Sequence, residues 1–442
     1  MDAERASSKR FRKQPPLACE LSPGIPALVQ PFGHSDSSCS DPVLCADVVT
    51  QRQRVFATVI VDIVFCQGKA VTPHPTDVEP IALADHGYFF VGARHVGTAG
   101  KQLSEGGMYV EYYKPLEQSH ATPVVMFHGA GQTGTNYIST PDGRRGWLHD
   151  FLRAGYSVYI ADQPERGRSG HARQRLEGGH LTVDDATKIE NFFTAPRKNS
   201  LWPQARHHTQ WPGTGEVGDP AFDQFHASQV DGLSDRSEIE RLNQHAGTAL
   251  LDKIGPAILL THSQSGPFGW LVADSRPALV KAILALEPNG PPFFDVQFTG
   301  QQNWYAHNEQ QLARPYGITR ATMTFDPPLY GSEPLDGALQ PPSPNQEHVT
   351  GYLQAEPARK LPNLQNIPIL IMIAQASYHA TYDHLTSEFL TQAGVDNELV
   401  YLEQQGLSGN GHMVMLEKNN HQVADFMLDW LQTHREASHH EH

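Results

Sequence analysis

Residues 256–270 read PAILLTHSQSGPFGW. An unbroken apolar run stops at Thr261-His262-Ser263-Gln264-Ser265-Gly266, and a second apolar run starts at Pro267. A short continuous apolar run that ends in a polar, glycine-containing turn reads as a strand buried on both faces, and the run after it as a helix. A sharp strand–turn–helix junction pushes its central side chain out of the sheet and points the free N–H groups of the helix N-terminus toward it. Ser263 holds that central position. The pattern G-x-S-x-G is half met: Ser265 is small at +2, but Thr261 stands where glycine is usual at −2. Ser265 is the rival hydroxyl, two residues deeper in the turn and followed by Pro267.

Working outward, PVVMFHGAG (123–131), YSVYIAD (156–162), KAILALEPNG (281–290), IPILIMIAQAS (367–377) and NELVYLEQQG (397–406) all read as strands. Between them, WLHDFLRAG (147–155), RSEIERLNQHAGTALLDKIG (236–255), residues 381–394 and NNHQVADFMLDWLQTH (419–434) have helical spacing. Upstream, GYFFVGARHV (87–96) and GMYVEYYKP (107–115) alternate apolar and polar residues around a Gly/Ser-rich turn, which predicts an antiparallel hairpin. Strands alternating with helices imply an α/β fold with a mostly parallel, doubly wound sheet led by two antiparallel strands. Two stretches break the alternation, about 171–245 and 291–362, and are expected to form a lid over one end of the sheet. Their aromatic residues Phe192, Phe193, Trp202, Trp211, Phe293, Phe294, Trp304 and Tyr305 are candidate wall residues, with plain packing inside the lid as the alternative.

The chain has 442 residues and a formal net charge of −15, which disfavours a nucleic-acid partner. Cys19, Cys39, Cys45 and Cys66 all precede residue 67, without C-x-x-C or any zinc-ligand spacing. The rest of the chain therefore needs neither a disulfide nor a thiol nucleophile. Residues 1–50 are rich in Ser, Pro and charge and are expected to be disordered. Within the linker 51–80, Arg52 and Arg54 precede VFATVIVDIVF (55–65) and the small exit Gly68-Lys69-Ala70, a secretory-signal recipe interrupted by Asp62. The eleven apolar positions are too few to span a membrane, and the alternative is a buried strand. The compartment is cytoplasmic as written, or secreted if 52–70 acts as a signal. The catalytic domain is placed at 81–435, with a solvated tail at 436–442.

A nucleophilic serine needs a base, and His412 lies in the Gly/Asn loop GLSGNGHM between the last strand and the last helix. With 24 histidines in the chain, others compete. His128 is expected to pack under the turn, and His262 to point away from Ser263. His207-His208 lacks a carboxylate at metal-ligand spacing, so no metal is expected. The acid that holds the base is sought at a strand end. Glu287, at the tip of LALEPNG, is favoured over Asp383, which lies past the end of the next strand. Asp162 is a third option. The backbone N–H groups of Gln264 and of Ala130, or second of Gly131, are candidates for an oxyanion hole.

The blocks PVVMFHGAGQTGTNY, TPDGRRGWLHDFLRAGYSVYIADQPERGRS, LLTHSQSG, LALEPNG and GNGHMVMLEKNN resemble the esterase 713-like branch of the α/β-hydrolases, from about 85 to 435 apart from much of 291–362. The resemblance implies an α/β-hydrolase fold and a serine–histidine–glutamate triad on Ser263, His412 and Glu287. It departs at Ala130-Gly131, where the branch's type member has adjacent cysteines. A looser likeness to fungal natural-product enzymes widens the range of substrates. The expectation is a cofactor-free serine hydrolase cleaving a carboxylic ester or lactone. C–C cleavage, cyclisation or condensation with the same groups is a second reading, and a non-catalytic binding protein a third. Small molecules are the expected partners, with no stable membrane insertion; the oligomeric state is open.

Overall fold

The computed structural model describes residues 80–172 and 180–439. The readings of the disordered stretch 1–50 and of the signal-like stretch up to residue 79 lie outside these residues, as do the four cysteines.

Eight strands form one sheet: β1 (Leu83–Val91), β2 (Met108–Pro115), β3 (Val124–Phe127), β4 (Val158–Asp162), β5 (Ala257–His262), β6 (Val280–Leu286), β7 (Ile369–Ile373) and β8 (Glu398–Tyr401). Their spatial order is β1-β2-β4-β3-β5-β6-β7-β8. β2 runs antiparallel to both neighbours, and every other pair is parallel. The mostly parallel, doubly wound sheet with two leading antiparallel strands is thus as expected.

Period-2 side-chain alternation sorts the central strands between two cores. Leu259, Ile283 and Ile371 face one layer, under α2 (Arg236–Ile254), α3 (Gly266–Ser275) and α4 (Asp383–Gln392). Leu260, Leu284 and Met372 face the other, under α1 (Trp147–Arg153) and α5 (Asn420–His439). Both faces of the central strands are covered, which is why these strands read as unbroken apolar runs.

Helix ends follow local chemistry. The Asp235 carboxylate accepts from the Ser237 and Glu238 amides at the start of α2, and Gly255 at φ +86° ends it. α3 is buried from Gly266 to Asp274, so its sequence shows no polar face. The closing helix continues to His439, into the stretch read as tail.

Two boundaries shift. The run read as one strand over 87–96 begins at Leu83 and breaks after Val91; Arg94–Val96 then pairs with Leu103–Glu105. The break falls at Gly92, where φ is +72° and a Cβ would sit 2.8 Å from the Ala246 Cα of α2. The two insertions also hold short strand pairs that periodicity did not reveal: Leu181–Thr182 with Gly232–Leu233, Val296–Phe298 with Tyr305–His307, and Gly337–Leu339 with Tyr352–Gln354. Strands of two or three residues are too short to show a period of two. Among the described residues, no helix is long and apolar enough to cross a membrane.

Candidate active site

Parallel register brings two strand tips to one level. His262 of β5 pairs with Leu286 of β6, so Ser263 and Glu287 are the first residues beyond adjacent strands. Both adopt left-handed backbone, Ser263 at φ +54° and Glu287 at φ +47°. Non-glycine residues hold that conformation only where surrounding contacts impose it. Here the Asn289 amide donates to the Ser263 carbonyl at 2.9 Å, and the Glu287 amide donates to the Met372 carbonyl at 3.0 Å.

The turn after β5 is held from below by Ser265. Its hydroxyl accepts from the His262 amide at 2.8 Å and reaches the Phe127 carbonyl at 2.8 Å. Fully buried and committed to backbone, Ser265 is a staple of the turn that presents Ser263. Thr261 fits at the −2 position because Gly269 of α3 lies opposite it: a Cβ on Gly269 would come within 3.1 Å of the Thr261 methyl. The Thr261 hydroxyl is buried without a hydrogen-bond partner. Thr261→Val keeps the branched shape and removes a desolvated, unpaired hydroxyl. It is expected to raise the free energy of unfolding by about 1 kcal/mol, read from urea melts. A loss of stability would show that the hydroxyl is satisfied in solution.

Glu287 is fully buried. One carboxylate oxygen accepts from the Ala374 amide and the other from the Ser377 hydroxyl, each at 2.8 Å. The second oxygen also receives His412 Nδ1 at 2.5 Å. His412 sits on the loop between β8 and α5. Its own carbonyl accepts from His262 Nε2 at 2.9 Å, so His262 anchors the loop. Glu417 holds the other side of that loop, accepting from the Gly411 amide at 2.9 Å and the Asn410 side chain at 2.8 Å. The same carboxylate bonds His208 Nε2 at 2.7 Å. No carboxylate stands at metal-ligand spacing from His208 in the sequence; the partner it does have, Glu417, is distant in the chain.

Burial dominates the titration of this site. It pushes the Glu287 carboxyl up to about 7. It also holds the His412 imidazole well below its ordinary value, with His379 adding to the effect. At neutral pH His412 is thus a neutral ring, with Nδ1–H on Glu287 and Nε2 left as an acceptor. Nε2 faces the Tyr378 hydroxyl at 3.3 Å.

Other acids and bases named from the sequence are engaged elsewhere. Asp383 bonds His379 Nδ1 at 3.0 Å. Asp162 is held by the Gly134 amide and by Arg168. His128 donates from Nδ1 to the Gly129 carbonyl and accepts at Nε2 from the Gln163 amide, and burial lowers it to about 4. His262, Glu287 and His412 offer ligand atoms within 4.8 Å of one another. Both Glu287 oxygens and His262 Nε2 are used in the hydrogen bonds above, while His262 Nδ1 is buried without a hydrogen-bond partner among the described residues.

Ser263 opens onto a cavity of about 730 Å³. Ala130 and Gln264 border it beside the serine; Gly131 is not on its wall. Instead the Gly131 carbonyl accepts from the Val230 amide, and a Cβ there would meet Gln229 at 2.7 Å. The Gln264 side chain and the Gly129 carbonyl both accept from the buried Arg166 guanidinium at 3.2 Å, tying the two loops together. Of the aromatic residues singled out in the insertions, Phe192 and Phe193 line the cavity. Trp202 stacks behind Phe192 at 5.6 Å, Trp211 packs on Phe225, and Phe293 packs on Phe389. Phe298, Phe268, Tyr378 and Tyr382 line it without having been foreseen. Ser377, Tyr378 and His379 follow the strand end searched for a carboxylate; their hydroxyl and imidazole groups were the signal there.

Comparison with known proteins agrees with this fold. Residues 124–426 match the alpha/beta hydrolase family model. A fungal protein described as probable secreted lipase phiG, from Fungal sp. (strain ATCC 74256), is 45% identical over 348 residues, covering 78% of this chain and 89% of that protein. The atomic-resolution structure of a bacterial esterase superposes with a TM-score of 0.54 at 23% identity, covering 82% of this chain and 99% of the esterase.

Proposed function

The chain belongs to the alpha/beta hydrolase family, and from that premise we propose that it is a serine hydrolase cleaving a carboxylic ester or lactone. One observation carries the reading: Glu287, the acid of a buried carboxylate–imidazole pair with His412, projects from the strand tip adjacent to that of Ser263, a serine in left-handed backbone that borders a cavity. His412 Nε2 takes the Ser263 proton as Oγ attacks the acyl carbon, and Glu287 holds the ring and stabilises the imidazolium. The Gln264 and Ala130 amides receive the oxyanion. The alcohol leaves with the proton from Nε2, and water, activated by the same ring, cleaves the acyl-enzyme. No metal or cofactor enters these steps.

The two insertions act as a lid in this reading, since Phe193 of the first and Phe298 of the second border the same cavity. The lipase relative supports a small ester as substrate, and its description as secreted supports residues 52–70 as a secretory segment. A panel of short p-nitrophenyl esters and lactones, run beside fluorophosphonate labelling, tests the proposal. Absence of both turnover and labelling in the wild type would sink it.

The acid limb of the rate–pH profile carries a further expectation. Activity needs the Glu287–His412 pair with its carboxylate ionised, so rate rises with pH as the pair loses its proton. The Ser377 hydroxyl favours the charged carboxylate and so lowers the Glu287 pKa. Ser377→Ala removes that bond and should move the acid limb of kcat/KM up by about one pH unit. A limb that stays in place, or moves down, would show that Glu287 does not govern it.

A further inference from the structure

Tyr378 has no role in the steps above, yet its hydroxyl meets the imidazole that takes the serine proton in them. Its hydroxyl is 3.3 Å from His412 Nε2, and the residue borders the same cavity as Ser263. The ring is fixed on several sides: Phe192 meets it edge-on at 5.4 Å, Trp202 at 5.8 Å, and His412 lies 4.8 Å away. Its backbone opens a short 3-10 turn capped by Ser377, whose hydroxyl also holds Glu287. Acid, base and phenol are therefore positioned by one another. Burial keeps the phenol protonated far above the working pH range. It is a fixed hydrogen-bond donor that does not ionise.

With Nδ1–H committed to Glu287, His412 Nε2 has a single in-plane lone pair and serves one donor at a time. We propose that Tyr378 is a further catalytic residue: its O–H occupies Nε2 in the free enzyme, and when Ser263 takes that lone pair, the phenol donates to the alcohol oxygen of the bound ester. The proton balance is closed. The Ser263 proton moves to Nε2 as Oγ bonds the acyl carbon. The bond between acyl carbon and alcohol oxygen then breaks, and the proton passes from Nε2 to that oxygen. Tyr378 keeps its own proton throughout and disperses the charge on the departing oxygen. The inference rests on the serine-hydrolase reading and adds a leaving-group role to it.

A leaving-group comparison tests it. Tyr378→Phe keeps the ring and removes the hydroxyl. An ethyl ester expels a basic alkoxide that needs the donor, whereas the p-nitrophenyl ester of the same acid expels a stable anion. The variant is expected to lose about 100-fold in kcat/KM on the ethyl ester and less than about tenfold on the p-nitrophenyl ester. Equal losses on both, or none, overturn the role, because a merely structural effect does not sort substrates by leaving group. Fluorophosphonate labelling separates the layers. Wild type that fails to label overturns the hydrolase reading itself; a variant that labels normally but loses both esters equally overturns the Tyr378 role alone. If thermal melting shows that the Phe variant does not fold, Tyr378→Met removes the same hydroxyl on a flexible side chain and is judged by the same ratio.

Discussion

Ser263→Ala is expected to abolish fluorophosphonate labelling and to lower kcat for any ester substrate by about a million-fold, leaving KM within a few fold. The size follows from the proposed chemistry. Without Oγ there is no acyl-enzyme, and the backbone donors of Gln264 and Ala130 can assist only direct attack by water. The substitution removes one atom from a side chain that opens onto the cavity, so the fold should be untouched and the thermal midpoint close to wild type. Ser265→Ala is the matched control. That hydroxyl is bonded to the His262 amide and the Phe127 carbonyl, so its loss should weaken the turn and leave labelling in place. Labelling that survives Ser263→Ala and vanishes in Ser265→Ala would reverse the assignment.

The second large effect separates the two buried carboxylates. Glu287→Gln is expected to cost about 10,000-fold in kcat/KM. The amide retains the size of the carboxylate but cannot stabilise an imidazolium at His412, and its NH₂ group competes for the wrong tautomer. Asp383→Asn should stay within about tenfold of wild type, because Asp383 bonds His379 rather than His412. His379 still stacks on the His412 ring at 4.8 Å, which accounts for a residual effect. The measurement is kcat/KM on one ester for both variants, with thermal midpoints to exclude misfolding. Equal losses, or a loss confined to Asp383→Asn, would remove Glu287 from the proposed role.

The sheet was legible from local patterning, and the family from the resemblance of whole sequence blocks such as LLTHSQSG and LALEPNG. Runs such as AILL (257–260) and AILAL (282–286) are apolar throughout because both faces of β5 and β6 are covered, and the glycine, asparagine and serine clusters that follow them mark the loops. The same logic pointed to Ser263 and Glu287, since each directly follows a buried strand. Short pairings escaped it. Leu181–Thr182 and Gly232–Leu233 contribute two residues each, too few for any periodic signal.

Sequence by itself determined the order of strands and helices, and the strand-end positions from which Ser263 and Glu287 project. Those properties depend on neighbouring residues, and period and turn chemistry carry them. Tertiary structure alone decided which groups meet. It paired His208 with Glu417, gave Asp383 to His379, and set the Tyr378 hydroxyl against Nε2. It also showed why Thr261 is tolerated before the serine: the room comes from Gly269 on the following helix. A hydrogen bond between residues 209 positions apart leaves no periodic trace in the chain, because its geometry is set by strand register and helix packing.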